Sequence, residues 1–404
     1  MVILLVLFPS LLSLMTYLRY LRRAIVEIPQ LYPSRDILSE NSLNSEFPKV
    51  SVIVPAYNEE DNIQDCVMSI LDSTTLLADK FEVWVVDDQS TDNTLTILNT
   101  LKKNLSDSRL KILPGEPRPT EQVWTGKNWA CTQAAKRAFG EFLLFIDADV
   151  RLNPRAIETV VQAAKSKQID LLNCIPAVVC KSLVEWLVQP LIFINLLVSL
   201  NSVVVKDPKT KTAFAAGPFM LFQRSSYEKI GGHQAVASYV AEDVALARRI
   251  KESGLKLRHF LGANLAKLRM YRSWASLWEG WTKVLYLGAQ RSLWLMISLA
   301  LVMLNIYLIP WLVLVIVFSK SFLIGWKTVD LLAMCLALIA ILLQYNLRTL
   351  AAQAFHSSPK YWWLHSLGGL LVAVIAIASV IKTETGWGWT WRGRALKHPI
   401  SPRE

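Results

Sequence analysis

With 404 residues, 53% of them hydrophobic, and a formal net charge of +11, the chain is too apolar for an ordinary soluble domain. Its five cysteines are odd in number and form no CxxC pair, which excludes a disulfide framework and a cysteine zinc site and suits a reducing compartment. The positive charge comes with no zinc spacing, basic helix or RNA-binding aromatic signature, so no nucleic acid is expected as partner.

Residues 1–18 carry no charge and are followed by Arg19, Arg22 and Arg23. About 20 apolar residues span a bilayer. The run lacks the basic start and small-residue cleavage site of a secretory leader, so a retained membrane anchor over 1–23 is expected. The arginines then hold the following chain on the cytoplasmic side. Residues 19–48 are basic at first and then contain Pro and Ser, and 24–48 read as the linker.

From Lys49 onward, strands and helices alternate. Strands are expected over 49–54, 82–86, 109–113, 141–146, 170–179 and 213–222, and helices over 60–71, 91–101, 129–139, 154–165 and 240–253. This alternation predicts βαβ units and a largely parallel sheet. The apolar segment 183–205 interrupts it, and a surface or core helix is expected there rather than a span. Residues 266–292 read as an interfacial amphipathic segment. The charge-free runs 293–319, 331–347 and 366–381 give a C-terminal transmembrane region, and 382–404 a basic tail. Three spans after a cytosolic domain would leave that tail outside, against the positive-inside rule. A cytosolic tail is expected instead, with 293–319 re-entrant or a surface pair. The Trp and basic residues flanking these runs suit lipid headgroups, so membrane lipids are expected partners.

Acidic residues gather where strands should end, at Asn58-Glu59-Glu60, Asp87-Asp88 and Asp147-Ala148-Asp149, and Glu242-Asp243 opens a helix. Ligands of open α/β sheets bind at the carboxyl ends of strands. Carboxylates there make a hard-oxygen site, suited to a divalent cation and to hydroxyl groups. Helix capping is the plainer reading for Asn58, Glu59, Ser90, Thr91 and Asp92, but it accounts for one acid at 87–88 and not for the pair. In an extended segment Asp147 and Asp149 would share one side. Glu242 and Asp243 would be favoured in a first helical turn in any case.

In order and spacing these segments resemble the family 2 glycosyltransferases of the GT-A fold: Pro-Ala-Tyr-Asn-Glu at 55–59, Asp-Asp-x-Ser-Thr-Asp at 87–92, Asp-x-Asp at 147–149 and Glu-Asp at 242–243. The resemblance implies a nucleotide-diphospho-sugar transferase over 49–265: an α/β, Rossmann-like mixed sheet with flanking helices, here joined to transmembrane helices. It implies that Pro55, Tyr57, Glu59 and Asp88, with Asp87 as alternative, line the nucleoside pocket. Asp147 and Glu242 would contact the donor, Asp149 with Asp147 would hold Mg²⁺ or Mn²⁺, and Asp243 would be the general base.

Thr125-Gly126-Lys127-Asn128-Trp129, Glu242-Asp243-Val244-Ala245-Leu246-Ala247 and Trp391-Arg392-Gly393-Arg394 look like the carotenoid and hopene-associated glycosyltransferases. That subgroup implies a polyisoprenoid hydroxyl or carboxyl as acceptor, a UDP-sugar donor, and Lys127 against a phosphate or the base. Gly217, His233, Trp278 and Trp281 are acceptor-side candidates, with core packing or interface anchoring as the plainer readings of His233 and the two Trp residues. The Arg-Trp pair of processive members is absent from 278–283, which argues against chain extrusion. The expected activity is hexosyl transfer by an integral membrane enzyme at the cytoplasmic face of a bacterial cell membrane. A polyprenyl-phosphate glycosyltransferase and a catalytically silent membrane scaffold are the alternatives. A transporter would need charged or broken mid-membrane helices, and the C-terminal runs offer only Pro310.

Overall fold

The computed structural model describes residues 2–33, 47–200 and 213–395. Much of the expected linker, the end of segment 183–205, residues 206–212 and the end of the basic tail lie outside the described residues. In chain order the elements are α1 (Val2–Glu27), β1 (Val50–Ala56), α2 (Ile63–Asp72), β2 (Phe81–Asp87), α3 (Thr94–Leu105), β3 (Leu110–Pro114) and α4 (Gly126–Arg137). They continue with β4 (Phe142–Ile146), β5 (Val150–Leu152), α5 (Ala156–Ser166), β6 (Leu171–Val178), α6 (Leu183–Leu200), β7 (Phe219–Gln223), α7 (Arg224–Lys229), α8 (Glu242–Glu252) and β8 (Leu257–Leu268). The remainder is α9 (Trp274–Gly288), α10 (Leu293–Met303), a π turn (Leu304–Leu308), α11 (Ile309–Ile324), α12 (Thr328–Phe355), α13 (His365–Thr385) and the short strands β9 (Thr390–Trp391) and β10 (Arg394–Ala395). Contacts divide the chain into an α/β unit, residues 28–177 and 207–269, and a helical unit, residues 1–27, 178–206 and 270–398.

The α/β unit holds one eight-stranded sheet in the order β3-β2-β1-β4-β7-β6-β8-β5. The β-branched, nearly fully buried β1 and β2 pair in parallel with each other, and β3 and β4 extend that parallel half. Burial on both faces is what parallel strands require. Beyond β4 the expected parallel sheet gives way to antiparallel pairing, β4 with β7, β7 with β6 and β5 with β8. β7 begins only at Phe219, opposite Ile146, so the turn that precedes it lies at the carboxyl end of β4. Helix α2 buries Ile63, Cys66, Val67, Ile70 and Leu71, the spacing of one helical face.

The strand β8 was not expected, because Arg258, Gly262, Asn264 and Lys267 break its apolar pattern. Gly262 is needed for close approach: a Cβ there would lie 1.9 Å from the buried Cys174 Sγ. Gly262→Ala is expected to destabilise the unit by about 1–3 kcal/mol, the range for overpacked cores. Thermal denaturation checks this, and Cys174→Ala should recover part of the loss in the double variant. Residues just after α1 join the same strand, with Leu31 N–H donating to Leu261 O at 2.9 Å. The expected linker 24–48 therefore begins as helix and continues as a strand partner.

In the helical unit, α1 buries Leu7, Leu14, Leu18 and Leu21 while Leu5, Phe8, Leu12 and Met15 stay exposed. One seam faces protein and large apolar side chains face outward, as a lipid surround requires. Four stretches, Ile3–Glu27, Leu293–Ile324, Thr328–Phe355 and Trp362–Thr385, are long and apolar enough to cross a membrane. Helix α6 is shorter, and buries Leu187, Val188, Leu191 and Ile192. Leu293–Ile324 is one continuous helical stretch through the π turn, not the surface pair considered for 293–319.

Helix α13 lies alongside that stretch. His365 at its start packs edge-on against Tyr307, midway along Leu293–Ile324. Near its end, Glu384 pairs with Arg291 at 2.6 Å, just before α10 begins. The expected interfacial segment 266–292 is divided, since β8 takes its first residues and only α9 is helical. The Trp391-Arg392-Gly393-Arg394 hairpin is fastened to α9. Glu279 accepts from Thr390 Oγ1 (2.6 Å) and Arg392 N–H (3.2 Å), and Lys283 Nζ lies 3.4 Å from the Trp391 ring centre.

Candidate active site

Parallel strands in register end together, and the rim of β1, β2 and β4 collects the acids for that reason. Ala56 lies opposite Asp87, and Asp88 N–H donates to Ala56 O at 2.8 Å, so Pro55 near the end of β1, and Tyr57 and Glu59 just after it, leave the sheet beside the Asp87-Asp88 pair. The two loops are stitched to each other. Asn58, at φ +53°, donates its N–H to Ser90 Oγ (3.0 Å) and accepts from Thr91 N–H (2.8 Å). Glu59 N–H donates to Thr94 Oγ1 at 2.7 Å. Glu60 accepts from Asn93 N–H (3.1 Å), while Asp92 accepts from Glu60 N–H (3.1 Å) and Thr94 N–H (2.9 Å). Ser90, Asp92 and Glu60 thus fix the loops around the Asp87-Asp88 pair. Asp87 is buried, with Oδ2 accepting from Ser90 N–H at 3.3 Å and Oδ1 finding no hydrogen-bond partner.

Asp88 is buried against the start of α4 and pairs with Arg118 Nη2 at 2.8 Å. A Cβ on Gly126 would lie 2.1 Å from Asp88 Oδ2, so only glycine admits the carboxylate beside the positive end of that helix. The next residue, Lys127, reaches two acids at once: Asp147 Oδ1 at 2.6 Å and Glu242 Oε1 at 2.7 Å. Burial alone would lower the Lys127 pKa, but these two ion pairs outweigh it and hold the ammonium group well above its ordinary value.

Asp243 lies within the same cluster. Its Oδ2 accepts from Gly217 N–H and its Oδ1 from Val244 N–H, both at 2.8 Å. A Cβ on Gly217 would be 3.1 Å from Asp243 Oδ2 and 3.2 Å from Lys127 Nζ. The antiparallel β4–β7 pair explains this neighbourhood, since Asp147 N–H donates to Pro218 O at 3.2 Å. Burial of the Asp243 carboxyl and the negative charge of Glu242 push its pKa up to about 7, against the lowering pull of Lys127 and the two N–H groups. A carboxylate poised there can take a proton near neutral pH.

Asp147-Ala148-Asp149 forms a turn, with Val150 N–H donating to Asp147 O at 3.1 Å, rather than the extended segment expected. Among the described residues no group of three or more His, Cys, Asp or Glu side chains could by itself hold a metal ion. Asp147 and Asp149 offer two hard oxygen donors, enough for Mg²⁺ only when phosphate and water supply the rest.

His233 lies in the core behind the cluster. It is 2% exposed, its Nδ1 is 2.8 Å from Tyr227 Oη, and its ring centre is 4.5 Å from that of Phe145. Burial, and then the positive field of Lys127, lower its pKa to about 3, so the ring is neutral. Trp278 and Trp281 belong to the helical unit. Trp281 is buried, its Nε1 donating to Gln189 Oε1 at 3.0 Å, whereas Trp278 packs against Trp274. Arg118 and Asn128 were not foreseen. Buried Asn128 donates to the carbonyls of Val236, Ala237 and Tyr239 at 2.7, 3.0 and 2.9 Å, tying the first turn of α4 to the loop before α8. A polar side chain just behind a Thr N-cap was the available signal; Arg118, in a Pro-containing loop, offered none.

Residues 51–231 match Glycosyl transferase family 2. The chain is 28% identical over 243 residues to a 4,4'-diaponeurosporenoate glycosyltransferase of Staphylococcus haemolyticus (strain JCSC1435), covering 59% of this chain and 62% of the relative. It is 28% identical over 262 residues to the protein of that name from Staphylococcus aureus (strain USA300), covering 64% and 66%. The matched region thus spans just under two thirds of these relatives' length. A solved mannosyltransferase from Pyrobaculum calidifontis, in complex with GDP-Man and Mn²⁺, superposes with a TM-score of 0.52 at 19% identity, over 94% of this chain and 97% of that one, a likeness of fold.

Proposed function

We propose that residues 51–231, which match Glycosyl transferase family 2, form a catalytic domain of that family, and that the chain transfers a sugar from a nucleotide-diphosphate sugar to a hydroxyl or carboxyl of a membrane lipid. The observation that carries this reading is the single cluster of Asp147, Glu242, Lys127 and Asp243 at the strand-end rim. UDP-sugar and a polyisoprenoid acceptor are the preferred substrates, both supported by the sequence subgroup and the acceptor also by the staphylococcal relatives, which are 4,4'-diaponeurosporenoate glycosyltransferases.

Transfer with inversion is one in-line displacement. The acceptor oxygen bonds to the anomeric carbon as the bond to the diphosphate breaks, and Asp243 takes the acceptor proton. Its two N–H contacts aim it before substrate arrives. Asp87 and Asp88 accept hydrogen bonds from the nucleoside, and Lys127 exchanges an acid for a diphosphate oxygen. Mg²⁺ or Mn²⁺, when bound by Asp149 and Asp147, supplies neutralisation of charge on the departing diphosphate. His233 acts as a positioning residue beneath the site, in place of the acceptor contact first considered. For the cytoplasmic face the support is Arg19, Arg22 and Arg23 late in α1, and the Arg291–Glu384 pair supports a tail on that same side.

Mass spectrometry of lipid extracts with and without the gene tests the activity. A hexose- or deoxyhexose-bearing lipid should disappear, and unchanged extracts together with no turnover of nucleotide sugars by the purified protein would sink the proposal. Gly126→Ala tests the nucleoside pocket. Its methyl group must displace the Asp88 carboxylate, so donor affinity should fall about tenfold or more, equivalent to about 1.4 kcal/mol. Calorimetric titration of UDP onto folded variant checks it, and unchanged affinity removes Asp88 from the pocket.

A further inference from the structure

We propose that the helical unit contains a buried oxyanion site, formed by Arg348, His365 and Tyr307, that takes the carboxylate or phosphate-monoester head of an apolar-chain lipid. Arg348 is 0% exposed within α12. Its Nη1 donates to Ser357 Oγ (3.1 Å) and Nη2 to Ser358 O (2.5 Å), both neutral acceptors, and the Trp186 ring lies 5.8 Å away. Its Nε has no partner, and among the described residues no carboxylate pairs with it. A buried cation without a counter-charge costs several kcal/mol.

Two further unmet donors lie in the same buried part of the helical unit. His365 is 0% exposed with neither ring nitrogen partnered, and one of them must carry hydrogen. The buried Tyr307 hydroxyl is also unpartnered, and the two rings stand perpendicular with centres 5.9 Å apart. Arg348 lies within electrostatic reach of both. His365 opens α13 and so stands at the positive end of that helix.

The packing has been kept close here. A Cβ on Gly369 would lie 2.7 Å from Tyr307 Cβ, and one on Gly368 would lie 2.4 Å from Leu187 O. Tyr307 belongs to the π turn Leu304–Leu308, an interruption that recurs at functional sites. Arg348, His365 and Tyr307 therefore bring unmet polar groups into one buried region with no anionic partner for the guanidinium among the described residues. Water could satisfy one donor but would leave the guanidinium charge unbalanced. An oxyanion answers both, and the apolar helices around it suit a lipid tail.

Binding here does not rest on glycosyl transfer, and its test involves no sugar. Detergent-purified full-length protein is incubated with oleate, with phosphatidic acid and with neutral diacylglycerol, and retained lipid is weighed by native mass spectrometry. One equivalent of oleate or of phosphatidic acid should be retained in preference to diacylglycerol. Oleate alone identifies a carboxylate site, and phosphatidic acid alone a phosphate site. Arg348→Gln should weaken retention about tenfold or more. Tyr307→Phe, which removes one hydroxyl and keeps the fold even if Arg348→Gln does not, should weaken it severalfold. Retention unchanged in Tyr307→Phe, or a preference for diacylglycerol, overturns the proposal.

Discussion

Asp243→Asn is expected to lower kcat by about 10²–10⁴-fold, the usual contribution of a positioned general base. That is about 3–5 kcal/mol on the barrier at about 1.4 kcal/mol per decade. Asn preserves the shape of the side chain but not its acceptors. Two N–H groups, of Gly217 and Val244, now donate to two carboxylate oxygens, and the amide offers only one. The variant should therefore also lose about 1–3 kcal/mol of stability from the unmet N–H. Donor binding, measured separately, should stay within a few fold, because the reacting proton belongs to the acceptor. Full activity in purified membranes would falsify the assignment.

The second large effect is on pH. With Asp243 near 7, kcat/KM should rise about tenfold per pH unit below that value and level off above it, as the carboxylate form becomes complete. Lys127 lowers the Asp243 pKa, so removing its charge in Lys127→Met must raise that pKa and move the ascending limb to higher pH. The same change leaves Asp147 and the nearly buried Glu242 without their shared cation, so donor affinity and kcat should also fall. Lys127→Arg keeps the charge, but a planar fork cannot replace a point donor between two acids, so it should restore the pH limb more fully than the rate. Profiles measured across pH 5–9 check both, and a limb that stays in place separates Lys127 from the base.

Much of the α/β unit was legible because β1 and β2 are short and rich in β-branched residues, β4 is an unbroken apolar run, and all three are bounded by polar turns. Failures began where meaning depends on distant partners. In β8, Arg258 and Lys267 occupy more exposed positions of a strand whose middle is buried, and the sequence alone cannot separate that from a loop. Glu60 and Asp92 looked like ligand-facing acids or helix caps, yet each is used by the other loop, a pairing across about thirty residues. Lys127 was recognisable as a candidate, but its contact with two acids at once needed the antiparallel β7 and the start of α8. Trp278 and Trp281 were paired as acceptor-side candidates, and they have different partners because α9 is packed on one side by Gln189 and Phe193.

The seam of α1 has a consequence for biosynthesis. Ser10 Oγ donates to Asn305 O at 2.7 Å, and Leu7 packs with Val313, Val317, Ala333 and Ala337. A ribosome adding about 5–20 residues per second reaches those positions some tens of seconds after the first helix emerges. Throughout that interval the hydroxyls of Ser10 and Ser13 must remain with temporary partners, such as insertion machinery or headgroup water. Chains stalled before Asn305 should therefore be the ones that quality-control proteases clear.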